Sequence, residues 1–393
     1  MQYYAKNSFP LATLLISLLT HFNVYAEEGF RAHYSPAGLL TGEAALVLNS
    51  RPGFFGTVTG SFINTDQING KDGGNAGNQS IYINSFPSIA NLFKNATGSN
   101  TFNVGQTITQ SQSQVNLIGG YITSDTYWGG KLISAINIPY ATVSRQVTAS
   151  VDANQIAQLQ AFAIANPGLT ANVNATIRAL NSSVASIAAN KSGNAEGLGD
   201  TQFTGAWFHY DGNHTKYIAS LNVTAPTGSF SENNPVNIGF GYFTVLPAVS
   251  IIHQENNWTF AGRGAYGYNT INHNTSYQSG DFVAFELFGA YRLTQWANFG
   301  LNIIQLNQLS ADTFSGPVTS ISTIQNPGGS ALLLGTSVPI DDGQRTSFTA
   351  ISPFMVFPIS TLNSLVTLQY TFMPNAKDSI HAYTFQARLT TRF

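Results

Sequence analysis

The chain contains no cysteine. That removes disulfides, thiolate chemistry and cysteine-based zinc sites together. Charge is almost as scarce. Asp, Glu, Lys and Arg make up 9% of the 393 residues, against ~25% in ordinary soluble domains. The net charge of −2 gives no electrostatic case for a nucleic-acid partner. Past the N-terminal segment, no stretch approaches the ~20 apolar residues of a membrane helix. The motifs of hydrolytic chemistry are missing too. There is no Gly-x-Ser-x-Gly elbow and no Ser-x-x-Lys pair, the two short signatures of an activated serine. No two histidines stand at the helical spacing of a metal site. No catalytic residue, metal or cofactor is assigned, and an enzyme is not expected.

What is present is aromatic, glycine-rich and neutral. Aromatics are 12% of the chain and there are 36 glycines; Asn, Gln, Ser and Thr supply the polarity. That balance suits a transmembrane β-barrel. Its lipid band must be apolar, and neutral polar groups suffice for its lumen.

Residues 1–26 read as a secretory signal: Lys6, an apolar core over 11–19, and Val24-Tyr25-Ala26 as the cleavage site. Residues 27–393 then form one outer-membrane domain. Its first stretch, 27–52, has no strong period and reads as a periplasmic lead-in or a segment tucked into the barrel mouth.

The last stretch sets the pattern. One phase of 380–393 is His381, Tyr383, Phe385, Ala387, Leu389, Thr391 and Phe393; the other is Ile380, Ala382, Thr384, Gln386, Arg388, Thr390 and Arg392. Strand side chains alternate between faces, so one face is mainly apolar and the other mainly polar. A strand ending on an aromatic resembles the final strand of bacterial outer-membrane barrels, which the barrel-assembly machinery reads. Similar runs are expected at 54–64, 114–123, 127–138, 201–210, 216–225, 237–251, 257–269, 282–293, 296–307, 345–357, 364–372 and 379–393, about twelve antiparallel strands in all. Between them short and long connections alternate, the long ones being 65–113, 139–200, 226–236, 270–281, 308–344 and 373–378. This is the asymmetry of tight periplasmic turns and long outer loops.

Charge follows the same phase. In 282–293, Val283, Phe285, Leu287 and Tyr291 share the apolar phase, while Glu286 and Arg292 share the other with Phe282 and Phe288. Arg263 opposes Trp258, Phe260, Tyr266 and Tyr268. Trp128, Trp207, Trp258 and Trp296 fall in or near strand ends, as interfacial girdles require. Two inserts depart from the pattern. Residues 65–113 are rich in Gly, Asn and Ser and read as a flexible loop. About 140–199 reads as a helical hairpin, with Ile156, Leu159 and Ala163 on one helix face and Val173, Ile177, Leu180, Val184 and Ile187 on the other, broken at Asn166-Pro167-Gly168.

From about residue 197 onward the chain resembles the outer-membrane transporter family named for the MetA pathway of phenol degradation, also called SphB-alpha-like. The motifs are Gly197-Leu198-Gly199-Asp200, Thr224-Ala225-Pro226-Thr227-Gly228, Asn237-Ile238-Gly239-Phe240-Gly241-Tyr242 and, most specific, Asn272-His273-Asn274-Thr275-Ser276-Tyr277-Gln278-Ser279-Gly280-Asp281. Gln305 to Asp312 and Leu48 to Gly53 are similar to two further family segments. The resemblance implies a barrel, an outer-membrane location, and uptake of small hydrophobic or aromatic compounds.

Two sets of candidate residues follow. Glu286, Arg263, Arg292, Arg388 and Arg392, with Phe282 and Phe288, are lumen and selectivity candidates; they serve equally as paired wall residues or packing. Asn272, Tyr277 and Asp281 are loop-entrance candidates, or else members of a structural tight loop held by side-chain-to-backbone bonds. The function expected is passive passage of small hydrophobic or aromatic solutes through a monomer held in outer-membrane lipid. A general porin and a structural or adhesive barrel presenting its loops are the alternatives.

Overall fold

Two-residue periodicity runs through most of the chain and folds it into strands. The computed structural model describes residues 52–69, 78–82, 87–232, 234–314 and 345–393. The expected signal segment, the lead-in up to residue 51 and residues 315–344 lie outside the described residues. In chain order the elements are β1 (Gly53–Asn69), β2 (Asn78–Tyr82), α1 (Pro87–Thr97), β3 (Thr101–Ile122), β4 (Lys131–Val151), α2 (Ala153–Ala165), α3 (Thr170–Lys191), β5 (Gly193–Leu198), β6 (Thr201–Tyr210), β7 (Thr215–Ala225), β8 (Thr244–Glu255), β9 (Trp258–Asn269), β10 (Tyr277–Gln278), β11 (Phe282–Arg292), β12 (Asn298–Gln308), β13 (Thr313–Phe314), β14 (Ser347–Ile359), β15 (Ser364–Lys377) and β16 (Ser379–Arg392).

Twelve of these strands close into an antiparallel barrel. Neighbours run β1, β3, β4, β6, β7, β8, β9, β11, β12, β14, β15 and β16, and β16 returns to β1. At the seam Phe55 faces Arg392 and Asn69 faces Ser379. Every strand of the ring turns large apolar side chains outward, from Phe62 on β1 and Leu117 on β3 to Leu287 on β11, Met355 on β14 and Phe385 on β16. A belt of that size is solvated by lipid and not by water. Among the described residues no helix is long and apolar enough to cross a membrane, so the strands make the crossing. The four tryptophans lie toward the end with the short turns: Trp128 and Trp296 in the turns themselves, Trp207 near the end of β6 and Trp258 at the start of β9.

Inward, three phenylalanines sit directly across from glycines: Phe55 from Gly120, Phe282 from Gly267 and Phe354 from Gly300. A Cβ on any of these glycines would run into the facing ring. The missing side chain lets each ring lie against the wall of the barrel.

The structure corrects several boundaries. β3 begins at Thr101 and β4 runs on to Val151, so much of 65–113 and the start of the 140–199 insert is strand. The segment 65–113 is not a plain loop, since it also holds the end of β1 and α1. The reason is chemical. Above the lipid the outward positions of β3 are Thr107, Thr109, Ser111 and Ser113, which keep the period but lack its apolar signature; Thr107 Oγ1 meets Thr148 Oγ1 of β4 at 2.6 Å. Residues 237–243, expected as strand, form a loop in which Gly241 takes a φ of +76°. The expected 373–378 loop is a hairpin over Asp378, whose φ is +43°.

The projecting ends of β3 and β4 carry a helical cap. Phe102, Val104 and Val151 on their inward face pack with Phe93 of α1, Leu159 and Ala163 of α2, and Val173, Leu180 and Val184 of α3. Asp152 caps α2, its Oδ1 accepting from the Gln155 N–H at 3.0 Å. The inward face of β3 and β4 is the lumen face, so the helices lie on the lumen side, over the mouth.

Candidate functional site

The lumen is layered. Nearest the short turns, Ile122, Ile133, Phe208, Ile252, Phe288 and Phe354 belong to one buried apolar cluster drawn from eight strands. Phe288 stacks on Phe354 with ring centroids 4.9 Å apart. Phe55 and Leu365 pack against it from two further strands. The apolar side chains of this layer pack into one cluster that forms a floor, with Lys216 buried across from Ile252 and Arg392 across from Phe55.

Above it lies a polar layer. Arg263 on β9 faces Glu286 on β11 in the sheet register, and Nη1 stands 3.7 Å from Oε2 with both side chains buried. Asn302 Nδ2 on β12 donates to Glu286 Oε1 at 2.7 Å. Arg388 is buried on β16 between Thr59 and Thr367 of the flanking strands. Arg392 is half-buried at the end of β16, across from Phe55 of the floor. Arg292 is exposed at the turn end, where its backbone N–H donates to Asn257 at 2.8 Å. Of the five charged candidates, the structure brings together Glu286 and Arg263; Arg292 stands apart from them. It is the last residue of β11 and is exposed there, unlike the buried Glu286.

The outer half of the lumen holds a cavity of about 290 Å³. One wall is apolar, with Phe282, Ile304, Phe348, Met373 and Ile380. The facing wall is made of amides. Gln110, Gln112, Gln114 and Asn116 project from β3 at every second position. Sequence reasoning missed this ladder, although Gln-Ser-Gln-Ser-Gln-Val-Asn is a visible alternation. It carries no bulky apolar phase, so it read as loop up to Ser113. The roof comes from the loop after β7, where Val236, Ile238 and Phe240 fold over the cavity. Arg145 ties roof to wall, its Nη1 donating to the Pro235 carbonyl at 3.0 Å and its Nε to Gln110 Oε1 at 2.8 Å.

The family-like motifs meet at the mouth. Asp200 Oδ1 accepts from the Gly228 N–H at 2.8 Å and Oδ2 from the Phe240 N–H at 2.6 Å. A Cβ at Gly228 would lie 2.7 Å from the Gly199 carbonyl carbon and 2.8 Å from Gly239 Cα, so the three motifs interlock through their glycines. Asn272 joins them, donating from Nδ2 to the Phe240 carbonyl at 3.1 Å and accepting on Oδ1 from Asn274. It is wholly buried. The Tyr277 hydroxyl donates to Asp312 at 2.6 Å, and the Gly280 N–H and Ser279 Oγ bond the same carboxylate. Asp281 accepts from the Tyr266 hydroxyl. Asn272 and Tyr277 thus stand inside a loop knot with their polar atoms engaged in it, while the Asp281 carboxylate meets Tyr266 on the outward face of β9.

The cap reaches into this half as well. Ala188 of α3 belongs to the apolar cluster of the cavity wall, with Ile108, Val147, Leu246 and Phe282. Lys191, at the foot of α3, is buried, and desolvation holds its ammonium pKa well below the usual lysine value.

A closed twelve-stranded barrel with a lipid-facing belt and a partly filled lumen is an outer-membrane β-barrel. The short turns are its periplasmic end and the long loops its outer face. The chain belongs to the family described as "Putative MetA-pathway of phenol degradation", whose profile matches residues 94–351. No curated protein matches the sequence. Among solved structures, the chain is similar to the COG4313 outer membrane channel from Pseudomonas putida F1, at 13% identity and a TM-score of 0.53 over 87% of this chain and 96% of that one. It is more distantly similar to the CymD monoaromatic hydrocarbon channel, at 11% identity and a TM-score of 0.38 over 94% of this chain and 98% of that one.

Proposed function

We propose that the chain is a passive outer-membrane channel for small hydrophobic or aromatic compounds. The observation that carries this reading is the apolar wall of the outer cavity, where Phe282, Ile304, Phe348, Met373 and Ile380 are gathered on one side of a 290 Å³ space. Engineered apolar cavities of about 150 Å³ hold benzene, so a substituted single ring fits. The family's association with phenol degradation and the fold shared with an outer-membrane channel point the same way. The apolar floor argues against a general porin, whose lumen is water-filled. Catalysis forms no part of the reading. In it, β16 is the segment handed to the barrel-assembly machinery, residues 1–26 direct export, and the barrel works as a monomer.

Conductance and solute flux of the purified protein in planar bilayers and liposomes test the reading, with phenol-like and sugar-like solutes compared. Passage of the aromatic solute with little ion current is expected. Large indiscriminate current would make the barrel a general porin. Absence of flux for both solutes would sink the channel reading and leave a barrel that presents its helical cap at the surface.

A further inference from the structure

The two walls of the outer cavity differ in what they ask of a guest. On the amide wall Gln112 Nε2 donates to Gln114 Oε1, and Gln114 Nε2 to Asn116 Oδ1, each at 2.9 Å. Each of those NH₂ groups carries a second hydrogen. Around the ladder, four polar atoms have no hydrogen-bond partner among the described residues: Asn116 Nδ2, Asn137 Oδ1, Gln369 Oε1 and Gln386 Nε2. Their side chains belong to residues 1%, 7%, 3% and 4% exposed, and all four residues line the cavity. They come from four strands, β3, β4, β15 and β16, with Gln369 and Gln386 facing each other in the register. Buried amides are as a rule hydrogen-bonded. These two donors and two acceptors lie behind the wall, and at its half-buried front Gln112 and Gln114 each keep a hydrogen for a guest.

Among the described residues two charged side chains line the cavity, and both are hydrogen-bonded. Arg145 holds Gln110 and the Pro235 carbonyl, and Asp200 holds the N–H groups of Gly228 and Phe240. The amides that keep hydrogen-bonding capacity are neutral, and a bare hydrocarbon would leave them unanswered.

We propose that the amide wall, centred on Gln112, Gln114 and Asn116, is the selectivity site of the channel. It favours a solute with an apolar body and one hydroxyl or carboxamide edge over a plain hydrocarbon of the same size. The apolar body lies on the wall of Phe282, Ile304 and Phe348 while its polar edge moves along the ladder. This rests on the reading of the barrel as a channel for small apolar solutes and names the class it selects. A site built to hydrogen-bond its guest discriminates sharply against an analogue without the bonding group.

The test uses the full chain in lipopolysaccharide-bearing cells that lack their own channels for such solutes. Initial uptake of radiolabelled p-cresol and toluene is compared with that of cells carrying no channel. In the wild type, the channel-dependent rate for p-cresol is expected to exceed that for toluene by about tenfold, the worth of one to two hydrogen bonds. In Gln112→Leu/Gln114→Leu the ratio of p-cresol to toluene is expected to fall to about one. Gln386→Met, on a different strand, should lower the same ratio and serves if the double variant does not assemble. Equal wild-type rates for p-cresol and toluene, or an unchanged ratio in both variants, would overturn the selectivity site while leaving the channel standing. Wild-type uptake no faster than background for both solutes would overturn the channel reading and the site with it.

Discussion

Glu286 and Arg263 face one another across β11 and β9, with 3.7 Å between carboxylate oxygen and guanidinium nitrogen. Both are buried, at 2% and 8% exposure, and Asn302 bonds the same carboxylate. Such a pair gives little net stability against an apolar replacement, but breaking it from one side leaves a charge in a dry place. Arg263→Leu should therefore cost about 3–5 kcal/mol of barrel stability. Arg263→Leu/Glu286→Leu should cost clearly less than the single change. Urea unfolding in lipid vesicles measures both. A double variant as weak as the single one would show that the cost of Arg263→Leu does not come from the stranded carboxylate.

The apolar floor yields a second expectation. Phe288 and Phe354 stack at its centre, and replacing either ring by a methyl removes part of the barrier to water. Phe288→Ala/Phe354→Ala should raise ion conductance severalfold over the wild type in planar bilayers. Each change removes a buried aromatic and costs about 3–5 kcal/mol in a packed core, so folded barrel must be confirmed by its resistance to unfolding on unheated gels. Unchanged conductance of a folded double variant would place the barrier elsewhere in the lumen.

The sequence made strand count and facing readable because a lipid-facing strand advertises itself. Val283, Phe285, Leu287 and Tyr291 alternate with Glu286 and Phe288, and only one phase can touch lipid. The same signal fades where β3 and β4 rise above the membrane. There Thr107 and Ser111 face water on one side and Val104 and Ile108 face the cap on the other, so half the strand looked like loop. The site was less legible still. Glu286 and Arg263 could be assigned a face but not a partner, since register depends on strands of unknown offset. The Asn272 to Asp281 motif was visible as a motif. That Tyr277 closes on Asp312, 35 residues away, is a long-range fact with no local trace.

Gly267 is another position whose role is invisible until the strands pair. It lies across from Phe282, and a methyl group there would occupy the place of the ring. Gly267→Ala should push the Phe282 ring off the wall and into the outer cavity, with a stability loss of about 1–3 kcal/mol from overpacking. Uptake of p-cresol should fall. Adding Phe282→Leu to Gly267→Ala should restore both uptake and stability in part, because the smaller side chain vacates the contested space. If Gly267→Ala alone matches the wild type in both measurements, the ring has room to move and does not bound the cavity.

Lys191 ties the cap to the pH of the medium. It ends α3 over the mouth and is buried there. Desolvation holds its pKa well below the ordinary value in the docked state, whereas a solvated lysine titrates near ~10.4. Between those two values the undocked helix binds more protons than the docked one. Docking must then strengthen as pH rises through that window and level off above ~10.4; below the depressed pKa the dependence is flat. Amide exchange across α3, corrected for the intrinsic rate, should therefore show greater protection at about pH 10 than at about pH 7.5. Lys191→Met keeps the length of the side chain without its charge. It should abolish the difference and leave α3 at neutral pH at least as well protected as in the wild type. Equal protection of the wild-type helix at both pH values would mean that the ammonium group stays hydrated where α3 meets the barrel.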